Sequence, residues 1–132
     1  MGDRITIRCH LTMLELVGIP YSQRGITPEE GLSCWGVIRY VLVKECGLEL
    51  PEHAPLYYRW SDYVTIYKPP LPKLQKHDVV MFSEILEGLI NHLGVMADDS
   101  NFVHSGHLYG GVVCEPISRH YDKIVAIGRP KL

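Results

Sequence analysis

Residues 31–39 read Gly31-Leu32-Ser33-Cys34-Trp35-Gly36-Val37-Ile38-Arg39, and they open the clearest helix in the 132-residue sequence. Apolar side chains recur at i, i+3, i+4, i+7 and i+8 from Cys34 to Leu42, the spacing of one face of an α-helix. Ser33 suits the N-cap, because its hydroxyl can accept from a free backbone N–H. Gly47 suits the position after the helix end. The pattern therefore places Cys34 in the first turn of a helix.

Cys34 is a candidate nucleophile because of that position. A thiolate is a far better nucleophile than a thiol, so a catalytic cysteine needs a lowered pKa. A helix start offers partial positive charge and free N–H groups, and a nearby imidazole can take the thiol proton. The alternative is a structural cysteine, since free cysteines are among the most buried residues in proteins.

Short β-prone segments fill the C-terminal half of the chain. They cover residues 79–82, 92–97, 101–105, 111–115 and 123–129. A further helical pattern lies at residues 7–17, whereas the prolines in residues 48–77 predict an irregular surface excursion with room for one short helix. Helices followed by strands predict one α+β domain over residues 1–132, with N-terminal helices packed on an antiparallel sheet of about five strands.

Two histidines on neighbouring predicted strands are candidates for a base and its partner. Strand alternation puts His92, Gly94 and Met96 on one face, and Gly94 suggests a close approach by a ligand. With a three-residue turn at residues 98–100, His104 lies diagonal to His92 on that face. A two-residue turn would place the rings on opposite faces. We predict the three-residue turn, and histidines without a catalytic task are the alternative.

Composition excludes several classes of function. Charged residues make up 21% of the chain and the net charge is −2 with neutral histidines, so nucleic acid and anionic membranes are poor partners. No apolar run approaches a membrane span, and the N-terminus carries no signal core. We therefore expect synthesis in the cytoplasm without a signal peptide, and reduced thiols. The cysteines are Cys9, Cys34, Cys46 and Cys114.

The sequence predicts no metal or cofactor. His104 and His107 form an HxxH pattern with Cys114 nearby, but this spacing fits no common zinc module. The remaining histidines lie in polar, loop-like or amphipathic surroundings and are predicted to be solvated. They are His10, His53, His77 and His120.

The motifs, in their order along the chain, resemble those of the NlpC/p60 family of cell-wall cysteine peptidases. The opening motif with Tyr21, the nucleophile helix, the "GDxxxF" strand and the paired histidine strands correspond to residues 18–21, 31–39, 76–82, and 92–96 with 102–105. Two positions depart from the family pattern: Ser33 stands where an aspartate usually precedes the cysteine, and His77 replaces the glycine of "GDxxxF". Residues 34–36, 113–117 and 127–130 are most similar to members encoded in phage tail gene clusters.

The resemblance implies a papain-like fold and a Cys-His-His triad that works through a thioester. In that triad Cys34 is the nucleophile, His92 the base and His104 the residue that orients His92. The oxyanion and substrate positions fall on Tyr21, Ser33 and Trp35. The implied substrate is a peptidoglycan stem peptide, cut at the γ-amide between D-glutamate and diaminopimelate or lysine.

The likeness to phage members implies phage tail proteins as partners and a location on the virion tail, from which the protein acts on the cell wall. Two alternatives stay open at this point. One is a related Cys-His amidase or acyltransferase, and the other is a catalytically silent structural component of a tail.

Overall fold

The helix predicted from the Cys34 segment forms as expected. In the computed structural model, which describes residues 11–83 and 90–131, helix α1 spans Cys34–Cys46. The Ser33 hydroxyl accepts a hydrogen bond from the N–H of Gly36 at 2.9 Å, and Gly47 follows the helix with a left-handed φ of 72°. Local capping chemistry therefore fixes the helix start that carries Cys34.

Eight strands are described. They are β1 (Ile26–Thr27), β2 (Gly31–Leu32), β3 (Val64–Tyr67), β4 (Val79–Phe82), β5 (His92–Met96), β6 (Asn101–Gly106), β7 (Gly111–Pro116) and β8 (Ile124–Pro130). β1 and β2 pair with each other, and the other six form one antiparallel sheet in the order β3-β8-β4-β5-β6-β7. Helix α1 packs on β5 and β6, the strands that carry His92 and His104.

The sheet has six strands instead of about five because of β3. Strands β4 to β8 form at the five predicted segments, whereas β3 lies inside residues 48–77, which the sequence predicts as irregular. β3 sits at the sheet edge beside β8, and prolines close to a strand are compatible with an edge. The prediction allowed one short helix in residues 48–77, and the structure has a 3₁₀-helix there at Tyr57–Asp62.

The predicted N-terminal helix is wrong over the part of it that the structure describes. Residues 7–10 lie outside the described residues, and residues 11–17 contain only a 3₁₀ turn at Leu14–Leu16. The Leu11 N–H donates to the Tyr40 hydroxyl and the Met13 N–H to the Glu45 carboxylate, both at 2.8 Å. Because side chains of α1 take these donors, the donors do not make helical hydrogen bonds.

Both faces of the sheet bury apolar side chains. Leu93 and Val95 pack in the cluster under α1, whereas Met96 packs with Phe82 and Phe102 on the opposite face. This alternation confirms the face predicted for His92, Gly94 and Met96. Within residues 11–83 and 90–131, no helix has the length and apolar character to span a membrane.

The absence of a side chain at Gly94 makes room for a neighbouring side chain, not for a ligand. A Cβ at this position would lie 2.6 Å from a ring carbon of Phe102 and 3.2 Å from a methyl carbon of Val80. The Phe102 ring therefore occupies the space next to Gly94, and the predicted ligand approach there is wrong.

His77 replaces the family glycine at a position with unusual backbone geometry. Its φ is 75°, in the left-handed region that favours glycine. The His77 Nε2 lies 2.8 Å from Glu45 Oε1 on α1, so the ring is paired and the prediction of a solvated His77 is wrong. This contact joins the turn before β4 to the end of the helix.

Candidate active site

Cys34 and His92 line the same cavity. The cavity has a volume of about 330 Å³, and its apolar wall includes Leu56, Trp60 and Leu93. Cys34 is half-buried at the start of α1, and His92 is the first residue of β5. The helix thus supplies a thiol and the sheet supplies an imidazole to one space.

Burial is the largest influence on the pKa of the Cys34 thiol. Burial raises the pKa of Cys34, and the backbone N–H groups of Leu93, Trp35 and Cys34 itself offset only part of that effect. The lowered pKa expected at a helix start is therefore wrong for this arrangement. Activation of the thiol requires proton transfer to a base during attack.

The strand register confirms the predicted meeting of the two histidines. Val95 pairs with Val103 and Met96 with Phe102, which is the register of a three-residue turn at residues 98–100. His92 Nε2 lies 2.8 Å from His104 Nδ1. One ring thus holds the other in place, as an orienting residue must.

The His92 ring is poised as a neutral base. Burial, and then the neighbouring rings of His104 and His120, lower the pKa of His92 to about 4, against a small opposing effect of Glu115. At neutral pH the imidazole is therefore uncharged and has one nitrogen free to accept a proton.

The sequence analysis missed Glu115. On β7, its carboxylate lies 2.6 Å from His104 Nε2 and 3.3 Å from His120 Nε2. Burial raises the pKa of Glu115, but the hydrogen bonds from His104 and His120 outweigh it, so the pKa lies below its ordinary value. His120 is partly buried and paired, so its predicted solvation is wrong. Side-chain alternation could have indicated this contact. Glu115 pairs directly with Phe102, which lies two residues from His104, so Glu115 and His104 share one face of the sheet.

Ser33 and Trp35 hold the start of the helix. The Ser33 hydroxyl accepts from the Gly36 N–H and donates to the Gly25 carbonyl at 3.0 Å. Trp35 is buried, and its indole N–H donates to the Glu52 carbonyl at 3.0 Å. Ser33 and Trp35 also line a second cavity of about 460 Å³. Their predicted role in substrate binding stays a prediction.

Tyr21 is not among the described residues that line the Cys34 cavity, and its predicted part in stabilising the oxyanion stays a prediction. Its ring meets the His107 ring edge-on, with centroids 5.9 Å apart. In the described ranges, 11–83 and 90–131, no group of three or more His, Cys, Asp or Glu side chains could hold a metal ion.

These parts suit acyl transfer. A thiol and a neutral imidazole open to one cavity, the ring is held by a second imidazole, and the helix start offers N–H groups beside the sulfur. Such a set can form a thioester with an acyl group and later hydrolyse it.

Two relatives show sequence similarity to most of the chain. Gamma-DL-glutamyl hydrolase of Bacillus subtilis is 30% identical over 67% of this chain, and the murein DD-endopeptidase MepH of Escherichia coli is 26% identical over 70% of it. The matched regions span 20% and 33% of those two proteins. The similarity thus concerns one part of each longer relative.

Solved structures share the fold. An NLP/P60-family protein from Staphylococcus aureus, described as similar to lipoprotein, matches 91% of this chain and 39% of its own, with a TM-score of 0.67 and 21% identity. The NlpC/p60 domain of the peptidoglycan hydrolase SagA matches 97% of both chains, with a TM-score of 0.65 and 16% identity. The NlpC/P60 family model matches residues 18–128, which include every residue of the Cys-His-His arrangement. The chain therefore belongs to the NlpC/P60 family.

Proposed function

We propose that the chain is a cysteine endopeptidase that hydrolyses an amide bond in peptidoglycan stem peptides. The observation that carries this proposal is the His92–His104 pair, 2.8 Å apart, beside the cavity that Cys34 lines. An oriented neutral imidazole next to a thiol is what thioester chemistry requires. The names of the two relatives, a hydrolase and a murein endopeptidase, support the same class of reaction.

The reaction has two halves. His92 takes the Cys34 proton as the sulfur attacks the amide carbonyl, and the backbone N–H of Cys34, with the Tyr21 hydroxyl, stabilises the oxyanion. Collapse of the oxyanion breaks the C–N bond, and His92 protonates the leaving amine. Water then gives a proton to His92 and attacks the thioester, which releases the acid and restores the thiol.

The proposed scissile bond is the γ-amide between D-glutamate and a diamino acid. The family resemblance supports this choice, and so does the name of the 30% identical γ-glutamyl hydrolase. A DD bond, which the name of the second relative specifies, is the competing choice. Mass spectrometry of the products separates the two, because each cut leaves a different pair of fragments.

The first prediction is that Cys34→Ala abolishes muropeptide cleavage and retains the fold. Without the sulfur no thioester can form, and Ala tolerates the first turn of a helix. The assay digests purified muropeptides with each variant and identifies products by mass spectrometry. Cys46→Ala, at the other end of α1, is the matched control and should cleave like the wild type.

Two outcomes would contradict this proposal. Cleavage by Cys34→Ala at the wild-type rate would exclude a covalent mechanism at this sulfur. A wild-type protein that spares muropeptides but turns over lipid or N-acyl amides would identify the related amidase or acyltransferase instead.

The proposal includes delivery by a phage tail after synthesis in the cytoplasm. Its support is the likeness of residues 34–36, 113–117 and 127–130 to phage tail members. The test expresses the wild type and Cys34→Ala in a tail-producing host and probes purified tails for the chain. Tails that assemble and carry either form, but degrade cell wall only with the wild type, are expected. Tails without the chain would refute tail delivery, and equal degradation by both would point to a structural component with a silent site.

A further inference from the structure

Four polar side chains form a continuous hydrogen-bonded series that begins at the proposed base, His92. His92 Nε2 lies 2.8 Å from His104 Nδ1, His104 Nε2 lies 2.6 Å from Glu115 Oε2, and His120 Nε2 lies 3.3 Å from Glu115 Oε1. We infer that Glu115 is a positioning residue, which fixes the tautomers of His104 and His92 so that the free nitrogen of His92 is Nδ1. This inference rests on the proposed function and extends it beyond the three residues of the triad.

The Glu115 carboxylate sets the direction of the hydrogen bonds in this series. An ionised carboxylate only accepts hydrogen bonds, so His104 Nε2 must carry a proton to bind Glu115. In this series the His104 ring, whose side chain is 1% exposed, carries a single proton, the one on Nε2. Its Nδ1 is then an acceptor, and His92 Nε2 must donate to it. The proton on His92 is therefore at Nε2, and Nδ1 keeps the lone pair that a base needs.

The opposite arrangement fails at the same carboxylate. If His92 Nε2 were the acceptor, a neutral His104 would carry its proton on Nδ1. The lone pair of His104 Nε2 would then face an oxygen of Glu115 at 2.6 Å, which is repulsive. With a neutral His104 ring, the hydrogen bonds of the series thus have one consistent direction as long as residue 115 cannot donate.

His120 fixes the other oxygen of the carboxylate. Its ring is partly buried and meets the Phe102 ring edge-on, with centroids 5.4 Å apart. Its Nε2–H can donate to Glu115 Oε1, so each oxygen of Glu115 binds one imidazole. The carboxylate plane is therefore set from two sides, and small rotations of Glu115 are resisted.

Glu115→Gln is the decisive variant, since a carboxamide has a similar shape but can also donate. If its NH₂ turns towards His104, the tautomers of His104 and His92 reverse and His92 Nδ1 becomes protonated. We expect kcat/KM on muropeptides to fall about ten- to a hundredfold, mainly in kcat, because Glu115 is not among the described residues that line the cavity. Glu115→Asp, which can only accept, should recover part of the loss.

Ring-nitrogen NMR reports the tautomers directly and needs no substrate. In the wild type at neutral pH we expect His92 protonated at Nε2 and His104 protonated at Nε2. Glu115→Gln should give a mixture of tautomers at both rings, while Glu49→Gln, which neutralises an exposed carboxylate on another part of the surface, should leave both spectra and kcat unchanged.

The inference is overturned if Glu115→Gln keeps wild-type tautomers and kcat/KM, or if His104 carries two protons at neutral pH in the wild type. It is also overturned if Glu115→Asp is as impaired as Glu115→Gln, because the ability to donate would then be irrelevant. Absence of muropeptide cleavage by the wild type would refute the proposed function alone, since the NMR result still decides the tautomers.

Discussion

The surroundings of His92 include an aromatic ring and a second imidazole in direct contact, and the imidazole of His120 and the carboxylate of Glu115 also influence its pKa. Its ring stacks against Phe82, with centroids 5.9 Å apart and planes 27° apart, and its Nε2 is bound to His104. Burial is the largest cause of its low pKa. The site therefore combines a thiol whose pKa is raised by burial with an imidazole that is uncharged at neutral pH.

This low pKa predicts the acid limb of the pH–rate profile. His92 accepts a proton only when neutral, so kcat/KM should fall as pH drops through about 4, well below the ordinary histidine value of 6.5. Activity should remain on a plateau through pH 6.5. Titration of the His92 ring by NMR should give the same midpoint, and a limb near pH 6.5 in both measurements would contradict the buried, neutral ring.

The sequence predicted part of this residue-level picture. Cys34 was found from its place at a helix start, and His92 with His104 from strand alternation and turn length. The proposed role of Glu115 could not be predicted, because it depends on the register between β6 and β7, which the sequence did not specify. The raised pKa of Cys34 depends on burial of the sulfur by residues distant in sequence, so helix position alone gave the wrong sign.

At the scale of elements, the pairing of β5 and β6 sets the geometry of the two histidines. Phe102 lies on β6 over Gly94 of β5, and its ring stacks on His104 with centroids 4.4 Å apart and planes 21° apart. The glycine makes room for the aromatic ring that supports the orienting imidazole. Strand alternation predicted which face these residues share, but not that Phe102 fills the space above Gly94.

Gly94→Ala should therefore weaken both the sheet and the site. A new Cβ 2.6 Å from the Phe102 ring must displace it, with an expected loss of about 1–3 kcal/mol in the free energy of unfolding and a lower kcat/KM. Urea unfolding and the muropeptide assay measure the two effects. Thr65→Ala, at an exposed position of β3, is the control.

A second substitution tests whether the collision with Phe102 causes the loss of stability in Gly94→Ala. Phe102→Leu in the Gly94→Ala background removes the ring that collides with the new methyl group, so part of the lost stability should return. A double variant with the summed loss of the two single variants would show that Gly94 and Phe102 do not interact.

At the scale of the whole molecule, one ion pair joins positions 51 residues apart. Arg129 on β8 donates to both oxygens of Asp78, through Nε and Nη2 at 2.8 Å each. Asp78 is fully buried and also accepts from the Gln75 N–H at 2.9 Å. Sequence analysis found the segments that contain both residues, but their pairing follows from the sheet order, which places β8 between β3 and β4.

Arg129→Met should destabilise the fold strongly, because it leaves a buried carboxylate without its cation. The expected loss is about 3–5 kcal/mol in the free energy of unfolding, measured from the urea midpoint. Arg59→Met breaks an exposed pair with Asp62 and should leave the midpoint in place. Equal urea midpoints for the two variants would show that the Asp78–Arg129 pair contributes no more to stability than the exposed Arg59–Asp62 pair.

The proposed nucleophile and the proposed base belong to different layers of this fold. Cys34 is carried by α1, whereas His92, His104 and Glu115 come from three adjacent strands of one sheet. Backbone hydrogen bonds between strands hold the three sheet residues in a common frame, whereas α1 and the residues just before it are joined to the sheet by side-chain packing and a few hydrogen bonds, such as Ser105 Oγ to the Leu32 carbonyl at 2.7 Å. A slight sliding of helix over sheet would misalign the pair while nearly all secondary structure survived. The alignment that the proposed mechanism requires is thus more fragile than the fold itself.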